Sequence, residues 1–224
     1  LLVLSQNTKE YYVFENVMLT VKPDKIKQFE KGIAAHNVKF HSDNVYGARV
    51  YSIASGLNAG KYVWTMGPIT WSDMDNRPSK SGHDDDWSNN VAPYMTLGTE
   101  VTYWKYKADL SNFPQDFKVK KLKVDVYDIT RFQGEKVMEI MKKVKKVMIT
   151  KFPKEAFGVY VNEFSGTKEG KDLAYVSFFE KSAWLGKDNE FSKKYDEVFG
   201  KGSFKEVIKE WGQVTVGSQS ELWV

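Results

Sequence analysis

One order of elements occurs twice along this chain, about 111 residues apart, and that recurrence restricts the available folds more than any motif does. Ile26, Phe29 and Ile33, the apolar stripe of a predicted helix, lie over Val137, Ile140 and Val144 of a second one. Gly47 then falls over Gly158 and Val50 over Val161, without a gap. Later, Tyr62-Val63 matches Tyr175-Val176, and the closing strands end in Trp104 and Trp223. Identities are few, so the recurrence rests on pattern.

In the first copy, residues 11–21 are β-branched and aromatic and read as a strand. Pro23-Asp24 suits a first helical turn, and a helix to Phe40 follows. Residues 46–54 and 61–66 read as a hairpin that ends at Gly67-Pro68. A helical stretch near residues 91–95 and a strand over 99–107 complete β-α-β-β-α-β, the ferredoxin-like order. The second copy has strands at 122–130, 157–164, 173–179 and 221–224, with a helix over 135–150 and a mostly helical stretch over 184–211 that is broken near Gly200–Gly202. The expected domains are 11–108 and 121–224, with a polar linker over 109–120. Residues 1–10 read as an N-terminal arm or the remnant of a secretory signal. The second alternative implies export, and the first leaves the cytoplasm.

Several strands are apolar on both parities, among them YYVFENVML, KYVWTM and LAYVSFF. A sheet with one wet face should alternate instead. Two antiparallel sheets packed face to face, helices outside, bury both faces. The expected fold class is therefore α+β, two tandem ferredoxin-like units forming a pseudo-dimeric α+β barrel.

On this order and patterning, nearly the whole chain resembles the dimeric α+β barrel superfamily, with both halves in one chain. It is similar to antibiotic-biosynthesis monooxygenase-like and stress-responsive members. The resemblance implies a ligand pocket between a sheet and its helices, and cofactor-independent oxidation or acid–base chemistry. No catalytic motif of a named member is matched. Haem-dependent members with fused halves take their axial histidine from the second half, which here has none, and that departure argues against chlorite dismutase-type chemistry.

Composition narrows the chemistry further. Without cysteine, thiolate catalysis and Cys-ligated metals are excluded. A net charge of +4 with interspersed signs is no nucleic-acid footprint, and no apolar run is long enough to insert in a membrane. All three histidines lie in the first half, which has 12 basic and 12 acidic residues.

His36 occupies the apolar stripe where the second copy has Val147. A polar group there needs a partner or a wet cavity, so it reads as a bonded core histidine or a pocket residue. His41, at the helix end, suits a cation on the dipole. The stretch from Thr70 to Trp87, TWSDMDNRPSKSGHDDDW, has no counterpart in the second copy. Its Gly82–Trp87 segment reads as a helix start capped by one Asp, as a general base His83 held by a carboxylate, or as a metal site of undefended spacing. Asp75 and Arg77 are close enough to pair locally. Arg49 lies mid-strand between buried faces, paired or waiting for an anion. Trp64 and Trp71 could wall a flat ligand.

The expectation is a small-molecule-binding protein or enzyme acting on an organic, aromatic ligand, with the site in the first half. His36 and His83 are the proton-transfer candidates. Arg49, Trp64, Trp71, Asp75, Arg77 and Trp87 are the ligand-binding candidates. No metal ligand set and no cofactor are assigned, and a homodimer stays open. The alternatives are a non-enzymatic exported binding module, which exposes Trp71 and Trp87, and a metal or haem protein using the first-half histidines.

Overall fold

The computed structural model describes residues 10–42, 45–114, 119–166 and 170–224. The arm or signal reading of residues 1–10 falls almost wholly outside these. Two compact units emerge. The first comprises the described residues through Val50 together with Val63–Tyr106, and the second comprises Tyr51–Tyr62 and Lys107–Val224.

In the first unit, β1 (Val13–Leu19) buries Val13 and Leu19 at its ends. The turn at Pro23-Asp24 precedes α1 (Ile26–Phe40) rather than forming its first turn. Phe29, Ile33, His36 and Phe40 are the buried face of α1, at the spacing that places side chains on one side of a helix. Ile26, expected on that stripe, is 41% exposed, because the helix begins there and no turn precedes it to cover the side chain.

Next come β2 (Ala48–Ser55) and β3 (Tyr62–Ile69). The expected strand end at Gly67-Pro68 is corrected: β3 runs on to Ile69 through a cis Gly67-Pro68 bond. Two short helices follow, α2 (Trp71–Asp75) and α3 (His83–Asn90). A capping box starts α2, with Thr70 Oγ1 accepting from the Asp73 amide and the Asp73 carboxylate accepting from the Thr70 amide. Helix α3 starts differently from the expected Asp cap. Gly82, at φ 79°, is its N-cap, His83 is its first residue, and Asp84, Asp85 and Asp86 fill the first turn. A 3-10 turn over Ala92–Tyr94 leads to β4 (Glu100–Tyr106), which pairs antiparallel with β1.

The second unit contains β5 (Lys121–Ile129), α4 (Gly134–Lys151), β6 (Ala156–Asn162) and β7 (Leu173–Phe179). The predicted helical stretch over 184–211 divides into a 3-10 turn at Ser182–Trp184, α5 (Phe191–Phe199) and α6 (Ser203–Val214). Strand β8 (Thr215–Trp223) closes the unit and is longer than the four residues predicted. Val137, Ile140 and Val147 of α4 pack with Phe157, Leu173, Tyr195 and Val207 in one apolar core. Lys142 and Lys146, on the other side of α4, are exposed.

The strands of the first sequence copy lie in the order β4-β1-β3-β2, although most of β2 belongs to the second compact unit, and those of the second copy lie in the order β8-β5-β7-β6. Both are the ferredoxin-like order, fourth strand beside first, then third, then second. A side-chain detail recurs with it. The buried Trp104 indole donates to Thr102 Oγ1 at 2.9 Å, and the buried Trp223 indole donates to Glu221 Oε2 at 2.8 Å, each two residues back on its own strand.

Candidate functional site

The three histidines meet inside the first unit. Helix α1 supplies His36 from its buried face and His41 from its C-cap, while the αL turn at Gly82 sets His83 at the start of α3. Gly32 lets the helices close: a β-carbon on it would stand 2.0 Å from the Asn90 carbonyl oxygen at the end of α3. Ring centroids are then 4.8 Å apart for His36 and His83, 5.3 Å for His41 and His83, and 5.4 Å for His36 and His41.

Each ring is held by one nitrogen. His36 Nδ1 donates to Asp86 Oδ2 at 2.9 Å, His41 Nδ1 to the Tyr46 carbonyl at 3.2 Å, and His83 Nδ1 to Asp84 Oδ1 at 2.8 Å. These acceptors have no hydrogen to give, so all three protons sit on Nδ1. His41 Nε2 and His83 Nε2 are 3.2 Å apart, and His36 Nε2 is buried with no hydrogen-bond partner. One ring nitrogen from each histidine lies within 4.8 Å of the other two, a group that could hold a metal ion.

The surroundings keep the inner rings neutral. Burial lowers the His36 pKa, against the pull of its bond to Asp86. Burial also lowers His41, to about 4, against its bond to the Tyr46 carbonyl; a second charged ring beside it, or Arg77, works in the same direction as burial. This overturns the expectation of a His41 cation on the helix dipole. The His36 bond in turn holds Asp86 below the usual carboxylate range.

Aromatic rings pack around the cluster. Trp64 meets His41 nearly edge-on at 5.1 Å and donates its indole N–H to Asn37 Oδ1 at 3.0 Å, so its polar tip is spent on α1. Trp87 meets His36 at 5.3 Å and Phe40 meets His83 at 5.1 Å. The remaining residues singled out in the sequence lie elsewhere in their bonding. Trp71 packs against Tyr103 at 5.3 Å with the rings tilted by 45°. Arg77 pairs with Glu15 of β1 and not with Asp75, which is exposed. Arg49 is exposed on β2, so the idea of an arginine between two buried faces is corrected. Trp71 and Trp87 are both half-buried.

Sequence reasoning undervalued His41 and did not single out Asp86 or Tyr46. His41 lies five residues after His36, beyond the three- and four-residue spacings that bring side chains together on a helix. It joins the cluster because α1 ends there. Asp86 had a visible signal, its place in an Asp-rich helix start, but nothing local tied it to a partner 50 residues away.

No family profile and no curated protein matches the chain. Solved structures do. A candidate monooxygenase from Fusobacterium nucleatum subsp. nucleatum superposes with a TM-score of 0.61 at 10% identity, covering 96% of this chain and 93% of that one. A candidate monooxygenase from Lactobacillus acidophilus gives 0.56 at 13% identity, with 96% and 94% covered. An anthrone oxidase-like protein gives 0.52 at 10% identity, with 96% and 92% covered. At these identities the likeness is one of fold alone.

Proposed function

We propose that this protein is a small-molecule enzyme whose reaction centre is the histidine cluster of the first unit, acting on a flat aromatic compound without an organic cofactor. The observation that carries this reading is the state of His83. Its Nδ1 is held by Asp84, its Nε2 lies 3.2 Å from His41 Nε2, and 35% of its side chain is accessible, against 1% for His36. A carboxylate that orients an imidazole and leaves its second nitrogen free makes a general base.

In this reading His83 removes an acidic proton from the ligand, and the resulting electron-rich anion is oxidised by dioxygen. His41 lies beside it, and Trp64 fixes His41 from the other side. His36 is 1% exposed and makes no contact with a ligand itself; it holds α1 and α3 in register through Asp86. No role in this reading rests on Arg49, Asp75 or Arg77. Anthrone is the natural first probe, because one neighbour of the same fold is described as anthrone oxidase-like.

The test is aerobic turnover of anthrone by the purified protein, read as oxygen uptake and anthraquinone formation. His83→Ala is expected to lower kcat by at least about tenfold, within the range typical of a lost general base, with an unchanged melting temperature. An absence of turnover, or equal rates in wild type and His83→Ala, contradicts the proposal.

A further inference from the structure

We propose that His36, His41 and His83 form a mononuclear binding site for a divalent transition-metal ion, with Asp84 and Asp86 as its outer carboxylates. The proposal rests on the reading that this cluster is the functional centre, and adds an ion that fills it; with the ion bound, His83 Nε2 is a ligand, so the His83 base belongs to the metal-free protein.

Hydrogen-bond accounting leads there. With Nδ1 of each ring donating outward, the Nε2 atoms are what remains to be satisfied. Those of His41 and His83 lie 3.2 Å apart, where one of them needs a second proton or a shared cation. His36 Nε2 is a buried acceptor with nothing to accept from, which costs free energy unless something fills the space. A cation at the meeting point satisfies all three atoms at once.

The geometry agrees. Two imidazole nitrogens bound to one tetrahedral zinc ion at about 2.0–2.1 Å stand roughly 3.3 Å apart. The His41–His83 separation of 3.2 Å matches that, and the full set within 4.8 Å closes with small tilts of the rings. Metal-bound histidines characteristically donate their other nitrogen to a carboxylate or a backbone carbonyl. Here all three do, to Asp86, Tyr46 and Asp84.

The donor set narrows the ion. Three neutral imidazoles suit zinc, iron, nickel or copper, whereas magnesium and calcium take oxygen ligands. The outer carboxylates offset the charge that neutral ligands leave on the ion. Three rings facing one point also leave no space for a macrocycle, which argues for a bare ion rather than haem. With three protein ligands the coordination sphere retains an open position, where an oxygen of a bound molecule could be polarised.

Cobalt(II) titration of the chelator-stripped full chain, followed by visible absorption, tests this. One cobalt per chain is expected, with bands of four- or five-coordination that zinc displaces. His41→Ala and His83→Ala should each weaken binding at least about tenfold, and so should Asp84→Asn, as the loss of an outer partner does. The Asp84 side chain is fully exposed, so that variant reads the site without threatening the fold. No saturable binding, or binding unchanged in the three variants, overturns the proposal. Cobalt binding without anthrone turnover supports the metal site and contradicts the proposed reaction. Anthrone turnover by stripped protein that takes up no cobalt does the reverse.

Discussion

Gly32→Ala is expected to destabilise the protein by about 2 kcal/mol or more, a fall of roughly 4–8 °C in melting temperature for a chain of this length. Helix propensity alone predicts the opposite, since alanine is favoured over glycine by up to about 1 kcal/mol in a helix interior. The contact decides the sign. The new methyl would stand 2.0 Å from the Asn90 carbonyl oxygen and 3.1 Å from its carbon, both backbone atoms that no rotamer change can move. Helix α3 must shift to admit it, and α3 carries His83, Asp84 and Asp86. Stability and the site should therefore be damaged together. Gly212 of α6 is the control, because a β-carbon there meets nothing within 4 Å, and Gly212→Ala should be neutral or stabilising. Thermal unfolding of both variants checks this. An unchanged melting temperature in Gly32→Ala would show that α1 and α3 are not so close.

The second large effect is on acid stability. His41 titrates at about 4 in the folded protein against 6.5 when unperturbed, and His36 is shifted in the same direction, both chiefly by burial. Between those two values the unfolded chain binds protons that the folded one refuses. Stability is then full above pH 6.5 and falls as pH drops toward 4. His41 alone contributes a loss of up to about 1.4 kcal/mol per pH unit, an upper bound because its half-buried ring keeps some solvent screening. The titratable and charged groups facing the two rings are His83, Lys39, Arg77 and Asp86; Asp86 favours protonated His36, and the Tyr46 carbonyl favours protonated His41. Denaturant unfolding measured between pH 4 and 8 should show this slope, and His41→Gln should flatten it. A stability constant across that range would contradict the neutral, desolvated state of the cluster.

The fold was legible because its evidence is local and repeated. Stripe residues such as Phe29 and Ile140 announce their helices by spacing, and the strands by their apolar runs. Where local punctuation misled, a tertiary contact had overruled it. Gly67-Pro68 reads as a strand end, yet the chain continues beside β1, where a β-carbon at Gly67 would approach the Val13 carbonyl at 2.8 Å. Arg77 looked like a partner for Asp75, two residues away, and instead reaches Glu15, 62 residues away.

The site was half legible. A histidine on an apolar stripe, and a histidine beside three aspartates, were visible as anomalies. Their convergence was not, because it depends on the close helix contact at Gly32 and on the hydrogen bond from His41 to the Tyr46 carbonyl. Nor could spacing reveal a three-histidine set at residues 36, 41 and 83, since a metal motif is recognised only when its ligands share one element or a fixed loop. The site comes from tertiary packing of one helix end against one helix start.

The central claim is that the three rings meet in one cluster, with His36 and His41 held there as neutral imidazoles. Long-range proton–nitrogen NMR of the histidine rings, recorded on metal-free protein well above pH 6.5, tests it most directly. The account predicts Nδ1-protonated tautomers for His36 and His41, with ring-to-ring Overhauser contacts joining both to His83. Nε2-protonated rings without those contacts would contradict it.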